Sequence, residues 1–264
     1  MTPYPIIAIL CAAVAVSACS AKDADSLAIA SYNIRHGAGM ATDEVDLGRA
    51  EKAIKSLAPD LIALQEIDNR CARSGGVDQA AELGKRLGMH HAFGKFMDFE
   101  GGGYGLAALS RYPIAETHVH RLPDGAEPRC ALEIVVEIPE FGKCSFVSIH
   151  NDWTDDAIRE KQVAALLKAL ADRAHPVILA GDFNAGRGEA SMKPFAAAPW
   201  TNLPKEGPAK TWPADNPKVE IDHLIVRGFE GLNETACQVV AEKAASDHRP
   251  VAASLPLSKP TPIP

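Results

Sequence analysis

Nine short apolar runs punctuate this sequence, at residues 27–34, 61–67, 105–109, 131–138, 145–149, 177–180, 221–226, 236–241 and 251–255. Their lengths suit strands, and between them residues 46–57, 78–87 and 154–173 carry apolar side chains at helical spacing. In the last of these, Thr154 is the candidate N-cap, Asp155 and Asp156 occupy the first turn, and Val163, Leu166, Leu167 and Leu170 form the apolar stripe. Strands mixed with helices, without strict alternation, predict an α+β fold. No repeat, low-complexity run or composition break divides residues 27–256, which read as one domain followed by a Pro-rich tail at 257–264.

Several runs close in residues that a core strand has no use for. Ser31-Tyr32-Asn33-Ile34-Arg35 closes the first and Leu64-Gln65-Glu66-Ile67-Asp68 the second. Further on stand Ser148-Ile149-His150-Asn151-Asp152, Ala180-Gly181-Asp182-Phe183-Asn184, Ile221-Asp222-His223 and Ser246-Asp247-His248-Arg249-Pro250. A buried carboxylate is strongly unfavourable unless it is paired or bound to metal. Acids, amides and histidines gathered at the C-terminal ends of strands therefore predict one shared cleft and a cation inside it.

Charge narrows the partners. Lys and Arg total 27 against 34 Asp and Glu, a net charge of −7, so the basic footprint of a tight, non-specific duplex binder is missing. The apolar stretch 6–16 is too short for a bilayer, which takes about 20 residues, and it reads as a signal-peptide core. It runs into Val16-Ser17-Ala18-Cys19, similar to a bacterial lipoprotein cleavage box, although Met1 to Pro5 hold no Lys or Arg. The expectation is a signal peptide at 1–18 and a linker at 19–26 beginning with a lipidated Cys19, with a plain secretory signal as the alternative. Either way the protein is expected to be exported, anchored facing the periplasm or cell surface, or secreted.

In an oxidising compartment the remaining Cys71, Cys130, Cys144 and Cys237 could pair in three ways or stay as buried thiols; none has the spacing of a zinc site.

The six closing motifs, in this order and spacing, resemble the endonuclease/exonuclease/phosphatase superfamily over nearly all of residues 27–256. The stretch Tyr104-Gly105 through Leu109-Ser110-Arg111-Tyr112-Pro113-Ile114 adds a seventh, structural likeness. The resemblance implies a four-layer αββα sandwich of two mostly antiparallel sheets flanked by helices, with the site at one edge. It implies Glu66 as principal Mg²⁺ ligand, with Mn²⁺ as a substitute, Asp247 near the metal or its water, and Asn33 on metal-bound water or phosphate. Asp182 takes the place of the general base and Asn184 of its hydrogen-bonding neighbour. His248 and His150 take the places of phosphate contacts, with Asp222 keeping His248 charged. If disulfides form, Cys71 with Cys130 and Cys144 with Cys237 is the favoured arrangement on these motif positions. Arg73 and Arg129, each beside a cysteine, are read as salt-bridge residues that could also grip phosphate.

Three features depart from the family pattern. Asn151 follows His150 where an apolar residue is common, Leu106 stands where many relatives carry Asn, and no long basic loop matches a DNA-gripping arm. The expected function is hydrolysis of phosphodiester bonds by metal-assisted water attack, in a monomeric nuclease or a lipid or glycolipid phosphodiesterase. Its partners would be nucleic acid or a phospholipid or glycolipid headgroup, and a membrane reached through the lipid anchor. The competing reading is a non-catalytic binding module on the same fold.

Overall fold

A computed structural model describes residues 25–42 and 44–258; the expected signal segment, Cys19 and the tail beyond residue 258 lie outside the described residues. The elements run β1 (Ser26–Asn33), α1 (Leu47–Leu57), β2 (Leu61–Asn69), α2 (Gln79–Leu87), β3 (His90–Phe99), β4 (Gly102–Ser110), β5 (Ile114–Arg121), β6 (Cys130–Ile138) and β7 (Gly142–His150). They continue with α3 (Asp156–Ala169), β8 (Val177–Asp182), β9 (Trp200–Asn202), β10 (Lys205–Glu206), β11 (Asp222–Arg227), β12 (Cys237–Val239) and β13 (Val251–Pro256). Seven strands form one sheet in the order β10-β12-β13-β1-β2-β4-β3, and six form the other in the order β5-β6-β7-β8-β11-β9. Most neighbours are antiparallel; β1 with β2, β7 with β8 and β10 with β12 are parallel.

Side-chain alternation explains the layering, because each strand sends successive residues to opposite faces. Along β6, Leu132, Ile134 and Val136 pack between the sheets with Leu61, Leu106 and Phe146. On the far face of the first sheet, Ala30, Ile62 and Leu64 pack under Ala50 and Ile54 of α1 and Leu83 of α2. On the far face of the second, Val147, Ile149 and Leu179 pack under Val163 and Leu166 of α3. Three apolar interfaces make four layers, the expected αββα sandwich. Each helix begins on an aspartate that accepts a backbone N–H: Asp46 from Gly48, Asp78 from Ala81 and Asp155 from Ala157. The cap of α3 is thus Asp155. Thr154 instead donates its hydroxyl to Asp152.

All four described cysteines are buried and free, which corrects the expected pairings. Cys130, Cys144 and Cys237 pack as ordinary small apolar side chains between the sheets, and the Cys71 thiol donates to the Gly103 carbonyl at 3.3 Å. Burial pushes all four thiols above their ordinary pKa.

The sheet order also corrects the idea that the polar residues all sit at C-terminal strand ends. Asn33, His150 and Asp182 close β1, β7 and β8, whereas Asp222 opens β11 and lies opposite Asp182 in the antiparallel register. Arg129 directly precedes β6, and Asp247 and His248 precede β13. Antiparallel neighbours bring the starts of some strands to the same edge as the ends of others.

Candidate active site

Glu66 owes its position to a bulge. The pairing of β2 with β4 slips between Gln65 and Ile67, and Glu66 takes φ +59°. That left-handed conformation costs a non-glycine residue about 1–2 kcal/mol. Bulges re-aim single side chains in this way beside functional sites. Gly105 opposite keeps the register tight, since a Cβ there would fall on the Gly94 carbonyl.

The carboxylate that results is half-buried and accepts from Asn33 Nδ2 at 3.0 Å. The same Asn33 amide reaches Asp182 Oδ2 at 3.3 Å, joining the two sheets across the cleft. Burial and the like charge of Asp247 raise the Glu66 pKa, with the Asn33 bond opposing them. Asp247 accepts from Trp212 Nε1 at 3.3 Å and from Ser246 Oγ at 3.3 Å.

Asp182 is the hub of the other side. Its Oδ1 accepts the Asn184 backbone N–H at 2.9 Å, and Oδ2 faces His150 Nε2 at 3.5 Å and His248 Nε2 at 3.6 Å. Burial lifts its pKa to about 7; His248 opposes that rise and Asp222 adds to it. His248 Nδ1 is bonded to Asp222 Oδ2 at 3.0 Å. Burial would lower the His248 pKa, but the charges of Asp222 and Asp182 and the Asp222 hydrogen bond carry it up to about 10. His150 goes the other way: burial, then Arg129 and His248, hold it well below its ordinary value and so neutral. Asn184, at φ +51°, donates its side chain to the Asn151 carbonyl at 3.1 Å.

All eight residues expected to form the site therefore stand at one edge of the sandwich. Glu66, Asp182, Asn184, His150, Asp247 and His248 line a cavity of about 680 Å³, and Asn33 and Asp222 stand behind them, bonded to Asp182 and His248. A hollow of about 780 Å³ opens at the opposite end of β1, but no comparable set of acids and histidines converges there.

Two groupings could hold a cation. The ligand atoms of Asp182, Asp222 and His248 lie within 4.8 Å of one another. Both ring nitrogens of His248 face carboxylates, however, so the protonated ring has no lone pair left for a metal. Asp247 helps raise the Glu66 pKa, and both carboxylates keep hard oxygens available, with the Asn33 amide beside them, a donor set that suits a divalent cation.

The cavity also contains residues that the sequence reading undervalued. Arg129 is 1% exposed, lies over the Phe96 ring at 4.9 Å and pairs with Glu127 at 3.1 Å. Its Nε and Nη1 have no partner, an arrangement that fits an anion. The available signal was register: Ala131 pairs with Ile149, which sets Arg129 near His150. Arg73, the other candidate grip, is instead held bidentately by Asp68 at 2.8 and 2.9 Å, as a salt bridge. Tyr104, Trp153 and Trp212 complete the wall.

Residues 30–248 match the sequence pattern of the Endonuclease/Exonuclease/phosphatase family. The chain belongs to this family. It is 27% identical over 246 residues to the uncharacterized protein YbhP of Escherichia coli, covering 88% of this chain and 97% of YbhP. Among solved structures, an endonuclease/exonuclease/phosphatase from Beutenbergia cavernae superposes with a TM-score of 0.73 at 21% identity, over 89% of this chain and 72% of that one. The mannosyl-6-phosphatase Bt3783 of Bacteroides thetaiotaomicron gives 0.66 at 18% identity, over 86% and 98%. Enzymes of the endonuclease/exonuclease/phosphatase family are generally hydrolases of phosphate esters that typically depend on a divalent metal.

Proposed function

We propose that this protein hydrolyses phosphate esters, phosphodiesters included, with a divalent cation, Mg²⁺ or in its place Mn²⁺, held by Glu66 and Asp247 beside Asn33. The observation that carries this reading is the chain Asp182–His248–Asp222 set against the Glu66–Asn33 pair, bridged by a single amide. The bound cation would neutralise phosphate charge and draw the ester into the site.

The protein side chains do the rest. Asp182, with a pKa near 7, is poised to orient a water and accept its proton as the new P–O bond forms and the ester P–O bond breaks, the alcohol leaving with a proton from the site or solvent. The Asn184 N–H holds the other oxygen of that carboxylate in place. His248, kept protonated by Asp222, faces the charge that grows on the phosphoryl oxygens, and the idle donors of Arg129 face the same anion. Neutral His150 can donate a hydrogen bond there without adding a charge beside His248.

The direct test is hydrolysis of bis-p-nitrophenyl phosphate with and without Mg²⁺. Chelation should abolish turnover, and Glu66→Gln should lower it at least about 10²-fold with an unchanged melting temperature. Full activity after chelation, or normal turnover by Glu66→Gln, overturns the metal role. Absence of turnover by the Mg²⁺-loaded wild type favours the binding-module reading.

A further inference from the structure

Away from the cleft, the margin of the second sheet carries a histidine pair to which the hydrolysis assigns no part. Of the nine histidines in the sequence, only His118 and His120 stand two residues apart. In a strand that spacing puts both side chains on one face, about 6.6 Å apart along the backbone. His118 lies opposite Glu133 and His120 opposite Ala131 in the register of β5 on β6. The pair therefore shares the outer face on which α3 packs further in, and β5 itself is the edge strand. The two rings are stacked, with centroids 6.1 Å apart and planes at 24°.

Each ring is held by a carboxylate at the same atom. His118 Nε2 lies 3.1 Å from Glu116 Oε2, and His120 Nε2 lies 2.7 Å from Glu133 Oε2. An ionised carboxylate only accepts, so in the neutral ring Nε2 carries the proton and the lone pair sits on Nδ1. Proteins prepare a histidine for a metal in this way: an acid on one ring nitrogen fixes the tautomer, raises the basicity and leaves the other nitrogen to coordinate. Charge on this face is balanced, since Lys143 lies 3.8 Å from Glu116 and Arg173 grips Glu133 at 2.8 Å. No excess of negative charge is left to attract a hard ion. Two imidazole lone pairs select a borderline one, of the class of Zn²⁺ and Cu²⁺.

We propose that His118 and His120 form a binding site for a borderline divalent transition-metal ion, coordinated through their Nδ1 atoms with water in the remaining positions. Glu116 and Glu133 are its positioning residues. An ion about 2.0–2.1 Å from each nitrogen brings the two donors within roughly 4 Å, so the rings tip toward each other. His118, with 40% of its side chain exposed, has room to do so. The site is independent of the catalytic cleft, whose oxygen donors suit a hard ion.

The untagged full-length protein is stripped with chelator, saturated with Mg²⁺ so that hard-ion positions are filled, and titrated with Zn²⁺ by calorimetry while the histidine ring resonances are followed by NMR. Zn²⁺ should shift the ring signals of His118 and His120. It should leave those of His90 and His91, adjacent residues that β3 sends to opposite faces. The double variant His118→Ala/His120→Ala should bind one Zn²⁺ fewer per chain, and Cu²⁺ should bind the wild type more tightly than Zn²⁺ does. Glu116→Gln, which keeps the size and removes the charge, should weaken the ion about tenfold. If the double variant binds as many Zn²⁺ ions as the wild type, or if the His118 and His120 signals stay in place, the site falls and the pair serves only to keep a sheet edge polar. Should the double variant fail to fold, the ring signals of the wild type decide alone. A Glu116→Gln protein that binds Zn²⁺ as tightly as the wild type overturns the positioning role.

Discussion

Two groups of buried acids in this molecule have opposite surroundings. On the outer face of the second sheet, Glu133 is gripped bidentately by Arg173 at 2.8 and 2.9 Å and also accepts from Ser145 at 2.6 Å, with His120 at 2.7 Å. Burial alone would raise its pKa, but His120, Arg173 and Ser145 together hold it well below the usual carboxylate range. In the cleft, Glu66 has one amide partner and Asp182 two N–H donors, with no arginine or lysine among the described residues paired to it, and both are raised. A saturated carboxylate holds the fold together. A starved one is kept ready for a ligand or a proton, and the bulge at Glu66 shows backbone strain accepted for the same end.

The largest effect that would sharpen this contrast is Asp182→Asn. It keeps the size and an acceptor for the Asn184 N–H but removes the base, so kcat should fall about 10³-fold or more while thermal stability stays equal or rises. A large loss of melting temperature would place Asp182 with Glu133 as a structural acid.

Next is Asp222→Asn. His248 is raised, so its charge is present below a pKa of about 10 and lost as pH rises through it. Removing the carboxylate lowers that pKa, and the alkaline limb of the pH–rate profile should move to lower pH. The rate at neutral pH should drop about 10²-fold, with metal affinity unchanged. A profile that overlays the wild type rejects the pairing.

The smallest effect on activity belongs to Glu133→Gln, whose turnover should stay within about twofold of wild type. Its stability should fall by about 2–3 kcal/mol, because Arg173 and His120 lose their anion while Arg173 keeps some solvent. The folded pKa of Glu133 is depressed, so its contribution is complete above the unfolded value of about 4.3 and is lost as pH falls below it. Denaturant unfolding of wild type and variant should therefore converge in acid. A constant gap down to pH 3 would show that the carboxylate charge is not what stabilises.

The nine apolar runs all correspond to strands, and each of the three helical patterns to a helix, because both periodicities are written into side chains that face a core. β3 and β5 were illegible for the opposite reason. They are sheet edges, and β5 alternates Glu116, His118 and His120 with the exposed Ala115, Thr117 and Val119, so no apolar run marks it. The site was legible as motifs, since Asn33 and Asp182 end apolar strands, Glu66 interrupts one and His248 stands shortly before one. Arg129 was not, because only the pairing of β6 with β7 shows it at the cleft. The cysteines misled for want of distance information: sequence shows an even number, and only packing shows four separate thiols.

The site is a seam between the two sheets. Asn33, Glu66 and Asp247 belong to the first and Arg129, His150, Asp182 and Asp222 to the second, and the Asn33–Asp182, Gln65–Ser148 and His248–Asp222 hydrogen bonds stitch the seam. Neither sheet holds a working fraction of the chemistry, so there is no partially active fragment to find. Turnover should be lost on heating when the sheets part, which would make the reaction a gauge of how well the two layers are aligned.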